Sequence, residues 1–109
     1  MVQVNGTSIT MTRGDTAKIS VFITDAEGGD YIPGEQDVIR FAMKKDYNDA
    51  TPLLLIDIPV DSMELVIRPE DTKSLAYGTY VYDIELTTTD GVVDTFIDRA
   101  KIKITEEVH

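Results

Sequence analysis

The sequence has no cysteine, no tryptophan and one histidine, and it sets 10 Lys and Arg against 20 Asp and Glu. Each shortage removes a class of function. Without cysteine there are no disulfides, no thiolate nucleophile and no Cys-ligated zinc. The one histidine, His109, is the last residue, so no Ser/His/Asp set can form within the chain. A net charge of −10 is repelled by phosphate backbones, which argues against nucleic-acid binding and against a polybasic membrane patch. Nothing approaches the ~18 uncharged apolar residues that a membrane helix needs. Residues 1–12 alternate and are polar, so they do not read as a secretory signal. What remains is ordinary: 42% hydrophobic and 28% charged residues in 109 fit one globular domain over residues 1–109 with a modest core. The expectation is a domain that acts without chemistry.

The dominant pattern has a period of two, interrupted by turn residues. Val2–Val4 and Thr7–Thr12 flank Asn5-Gly6, a pair that accepts the positive φ of a two-residue hairpin. After the Arg13-Gly14-Asp15 turn, Thr16–Thr24 reads as a strand with Ile19, Val21 and Ile23 on one face and Phe22 breaking the polar face. Val38–Lys45 places Ile39, Phe41 and Met43 inward and Arg40 and Lys44 outward. Leu53–Ile58 is almost wholly apolar and stops at Pro59, an edge-strand signal. Ser62–Arg68 follows, with Leu65 and Ile67 inward, and then Pro69–Leu75 reads as one helical turn opened by proline and acids. Thr79–Thr88 alternates most cleanly, with Tyr80, Tyr82, Ile84 and Leu86 on one side. Asp90-Gly91 turns the chain into Val92–Thr105, which is expected to bulge near Asp98-Arg99 and to bury Ala100, Ile102 and Ile104. These segments predict an all-β fold, an antiparallel β-sandwich of seven to eight strands, with a small closed barrel as the competing architecture.

Several motifs invite a chemical reading and have a plainer one. Arg13-Gly14-Asp15 spells an adhesive tripeptide, yet Gly-Asp before a strand is common turn chemistry. Asn5-Gly6-Thr7 is a glycosylation sequon only on a secretory route. Asp25, Glu27 and Asp30 crowd one loop, but their glycines fall off the register of a helix-loop-helix calcium site. Asp90, Asp94 and Asp98 recur every four residues, which a solvated strand face explains without a carboxylate pair in a cleft. Tyr31, Tyr47 and Tyr77 fall in or beside loops, where tyrosine serves either a binding surface or the rim of a core. No catalytic, cofactor-binding or metal residues are assigned. Leu53, Leu54, Leu55 and Ile56 in a row exceed what one buried face needs, and with the first hairpin they mark candidate edges for self-association, with Leu54→Glu as the probe.

Two resemblances follow from these residues. The stretch Leu65–Asp71 to Gly78–Ile84 resembles the corner of immunoglobulin-like sandwiches, where a tyrosine precedes an inward cysteine by two positions. Tyr80 takes the place of the corner tyrosine, Tyr82 that of the cysteine and Phe41 that of the core tryptophan, so the antibody type is excluded. More broadly, Thr12–Thr16, Ile23-Thr24-Asp25, Asp37–Lys45, Asp71–Leu75 and Tyr77–Ile84 are similar to small proteins of the tail or baseplate region of phages and prophages of Gram-positive bacteria. The layout is similar to the N-terminal immunoglobulin-like domain of phage baseplate upper proteins. That resemblance implies a non-enzymatic structural or adaptor role, in a virion or in the bacterial cytoplasm when expressed from a prophage. Its implied partners are other virion or baseplate proteins and further copies of itself. No receptor-binding extension follows Glu106-Glu107-Val108; a complete small virion protein and a detached domain both fit. A carbohydrate-binding or adhesive surface module is the alternative.

Overall fold

A computed structural model describes the chain except Met1, Gly6, residues 24–28, Asp30, Ile32 and residues 107–109; for Val2–Asn5, Phe96 and Asp98 it describes the backbone alone. The order of elements is β1 (Val2–Asn5), β2 (Ser8–Thr12), β3 (Ala17–Ser20), β4 (Val38–Lys44), β5 (Leu54–Ile58), β6 (Glu64–Ile67), α1 (Pro69–Thr72), β7 (Gly78–Thr87) and β8 (Val93–Thr105). Six strands form one sheet in the order β1-β2-β8-β7-β4-β5, and β3 and β6 form a second. The all-β expectation holds, in a sandwich-like arrangement. The large sheet is open, with β1 and β5 as its edges, so the barrel alternative is not what forms.

One part of the expectation needs correction. The sheet is mixed rather than antiparallel, because β2 runs parallel to β8, with Ile9 opposite Ile102 and Met11 opposite Ile104. Alternation reports which way a side chain points, and it is the same for either strand direction. The other pairings are antiparallel. Two strands are also shorter than their apolar pattern. β3 ends at Ser20, although Val21 and Ile23 continue the buried series and Phe22 between them is 83% exposed. β6 starts only at Glu64, after Met63 adopts φ 52° and its carbonyl accepts the Val21 N–H.

The core is the sum of inward alternations. Ile39, Phe41 and Met43 of β4 lie opposite Leu86, Ile84 and Tyr82 of β7, and Ile102 and Ile104 extend the same face. Ala17, Leu65 and Ile67 of the small sheet belong to the same buried cluster. Phe41 is fully buried with its ring centroid 5.2 Å from that of Tyr82; a buried phenylalanine contributes about 2–3 kcal/mol from area alone. The β7–β8 turn closes as expected, with Gly91 at φ 86° and its N–H donated to the Thr88 carbonyl. The expected bulge lies at Arg99, which takes φ 55° where the β7–β8 register slips between Tyr82 and Ile84. Asp83 accepts the Arg99 N–H and Tyr47 donates to the Arg99 carbonyl, so both backbone groups of the bulged residue have partners. Among the described residues, no helix is long and apolar enough to cross a membrane.

Candidate functional site

The residues read as a sandwich corner lie at the start of β7. The Tyr80 ring is buried and its hydroxyl donates to the Ala76 carbonyl four residues upstream, at 2.6 Å. Lys45 Nζ caps the same ring at 4.7 Å. Tyr82 is buried two residues later, and its hydroxyl donates to the Thr7 carbonyl. Burial pushes the Tyr82 phenol up to about 12, because the charged form is poorly solvated there.

Between the sheets lies a cleft of about 200 Å³ lined by Ile9, Ile19, Val21, Leu65, Ile84 and the Tyr82 ring. Its lining offers no carboxylate, amine or imidazole, and Tyr82 stays protonated at neutral pH.

The adhesive tripeptide is built into the body of the fold. Arg13 reaches across to the corner and donates to the Leu75 carbonyl at 3.2 Å and to the Tyr77 hydroxyl at 2.8 Å, with its guanidinium 4.3 Å above the Tyr77 ring. Gly14, at φ 85°, donates its N–H to the buried Thr72 hydroxyl at 2.9 Å. A Cβ at that φ would be strained. The tyrosines divide in the same way. Tyr31 is half-buried and donates to Asp37, whose carboxylate also closes the turn at Gly34. That bond, with the Asp37 and Asp90 charges, raises its phenol above the usual range. Tyr47 and Tyr77 are exposed, yet each carries an arginine over its ring.

The acidic spacings do not assemble a site. Asp90 lies in the β7–β8 turn, where the Thr88 hydroxyl bonds its carboxylate and lowers its pKa. Asp94 pairs opposite Leu86 on β8, and the register slips beyond it break the period of two. The Asp98 side chain, the Asp25–Glu27–Asp30 loop and the Asn5-Gly6-Thr7 glycine lie outside the described residues. Among the described residues no group of three or more His, Asp or Glu is arranged to hold a metal ion.

What remains is the outward face of the large sheet. The run Leu53–Ile58 sorts by alternation after all: Leu54 and Ile56 pack against the core and Ile58 is buried, while Leu53 and Leu55 are 51% and 55% exposed. Leu54 is therefore a core-side residue, and the surplus apolar surface belongs to its two neighbours. Leu55 stands opposite Ala42, which stands opposite Asp83. Beside that row, Arg40 lies between Asp57 and Glu85 and donates to Asp57 at 2.9 Å. The hydrogen bond and both charges hold the guanidinium in its charged form. Arg40, Ala42, Leu55, Asp83 and Glu85, with Pro52 and Lys44, line a shallow groove of about 280 Å³. Lys101 and Lys103 of β8 extend the face; sequence reading placed Arg40 and Lys44 outward but passed over these two, although the Lys-Ile-Lys-Ile alternation carries the signal. The two candidate edges, β1 and β5, are the two edges of this sheet. Compared with models of known protein families and with curated proteins, the chain matches none.

Proposed function

We propose that this protein is an immunoglobulin-like structural or adaptor module of a bacteriophage or prophage particle, of its tail or baseplate, that works by contact with other particle proteins and with itself. The observation that carries the reading is the outward groove of the large sheet. There, half-exposed Leu55 adjoins a row of charges on paired strands, an arrangement suited to docking. The Tyr80 corner and the strand order, with β2 beside β8 and β3 beside β6, support the immunoglobulin-like assignment. The likeness to baseplate-region proteins supplies the particle. Location in the virion, or in the bacterial cytoplasm when expressed from a prophage, follows from that reading.

Mass spectrometry of purified particles from a strain carrying the gene tests it. The chain is expected in stoichiometric amount with tail or baseplate proteins, and its absence from intact particles overturns the proposal. The carbohydrate-binding alternative has less support, because Tyr47 and Tyr77 each have one ring face covered by an arginine. A glycan array showing saturable binding would reverse that order.

A further inference from the structure

The charges of this chain are sorted in space. The outward face of the large sheet displays Arg40, Lys44, Lys101 and Lys103, and the Arg99 bulge adjoins it beside Tyr47. Four of the chain's 10 cations lie on the face, and a fifth lies beside it. Against them the face sets three acids, Asp57, Asp83 and Glu85, and the Tyr47 loop that adjoins it adds Asp46 and Asp49. Two of the three are engaged, Asp57 with Arg40 and Asp83 with the Arg99 amide. Lys44 and Lys101 flank Val81 across three adjacent strands, and Leu55 and Ala42 supply apolar surface alongside.

One end of the sandwich has the opposite character. The β7–β8 turn, the approach to β4 and the β5–β6 connection meet there, through Thr87 opposite Val38 and Ile58 opposite Ile39. Residues 33–38, 59–64 and 88–94 hold Glu35, Asp37, Asp61, Glu64, Asp90 and Asp94, and no Lys or Arg. The Tyr31 hydroxyl donates to Asp37 there, at 2.8 Å. At the tip, Val92 and Val93 are 56% and 58% exposed.

We infer that the occupant of the outward face is a second copy of this chain, docked head to tail, with its acidic end on the lysine-bearing strands. The inference rests on the contact role proposed above and names the partner. Charge selects the orientation: two lysine faces repel each other, as do two acidic ends, whereas face to end is attractive. Val92 and Val93 of one copy meet Leu55 and Val81 of the next, so both sides bring apolar surface for the dry centre of the contact. Such a heterologous contact leaves one surface open on each terminal copy, and it grows into a ring or a filament rather than stopping at a dimer.

Sedimentation of the full chain with two variants tests this. Leu55→Glu/Lys101→Glu disables the face, and Val92→Asp/Val93→Asp disables the end; melting curves matching the parent show that both fold. The parent is expected to assemble beyond a dimer as its concentration rises, and to dissociate at about 0.5 M salt, where the Debye length falls to roughly 4 Å. Each variant alone is expected to remain monomeric, and an equimolar mixture to form a heterodimer that grows no further. A parent that stays monomeric at about 1 mM, where a millimolar contact is already half-occupied, overturns the inference. So does a parent that stops at a dimer, or an end variant that assembles alone. If the parent is monomeric yet present in purified particles, the head-to-tail contact fails while the adaptor role stands; absence from particles removes the latter.

Discussion

The two faces of the large sheet are built from the same strands and the same backbone, yet they answer to different demands. The inward face is uniform: Ile39, Phe41, Met43, Tyr80, Tyr82, Ile84, Ile102 and Ile104 are all nearly inaccessible. The outward face is mixed, with Leu55, Ala42 and Val81 set among Arg40, Lys44, Asp83 and Glu85. The inward residues are constrained by close packing, where a change of one methylene is felt. The outward residues are constrained only by what they touch next, so they can carry recognition at little cost to stability.

Substitutions on the two faces should separate these roles. Phe41→Ala is expected to have the largest effect, about 3–5 kcal/mol of lost stability from the cavity it leaves, read from chemical denaturation; a loss below about 1 kcal/mol would mean the core collapses around the site. Tyr80→Phe removes the bond to the Ala76 carbonyl and should cost about 1–2 kcal/mol. Melting unchanged from the parent would show that the corner bond is dispensable. The inward face should also respond to base. The folded Tyr82 phenol titrates at about 12, against an ordinary value of 10.0. The native state therefore holds this proton more tightly than the unfolded chain does. Its contribution is complete below pH 10 and is lost as pH rises from about 10 to 12. Tyr82→Phe should flatten that part of the stability–pH curve, as followed by circular dichroism. The smallest effect belongs outside: Asp57→Asn opens an exposed ion pair with Arg40 and should leave the denaturation midpoint close to the parent's, because solvent screens the pair. A clear loss would make the outward charges structural and blur the distinction between the faces.

Legibility follows the same division. β4 and β7 were readable because each alternates without interruption over seven and ten residues. The helical turn at Pro69 and the bulge at Arg99 had local signals in proline, acids and a broken alternation. Leu53–Ile58 gave a blurred reading because apolar side chains occupy both faces there, and only the position of β4 tells which leucines point in. The outward face was half-visible. Arg40 and Lys44 stood out on their own strand, but their approach to Lys101 depends on β7 and β8 lying alongside β4. The Arg13 clamp on Tyr77 joins residues 64 positions apart and left no mark on either neighbourhood.

Taken alone, the sequence determined which way nearly every strand residue points, because side-chain alternation is a steric property of the extended backbone and needs no partner. It determined the charge imbalance as well, and the lack of any thiol. Only the tertiary structure decided that β2 lies parallel to β8, that β3 and β6 form a sheet apart, and that four of the 10 cations share one face. Those outcomes depend on which distant strands satisfy each other's backbone hydrogen bonds while burying the same apolar surface, and a period of two carries no information about distance along the chain.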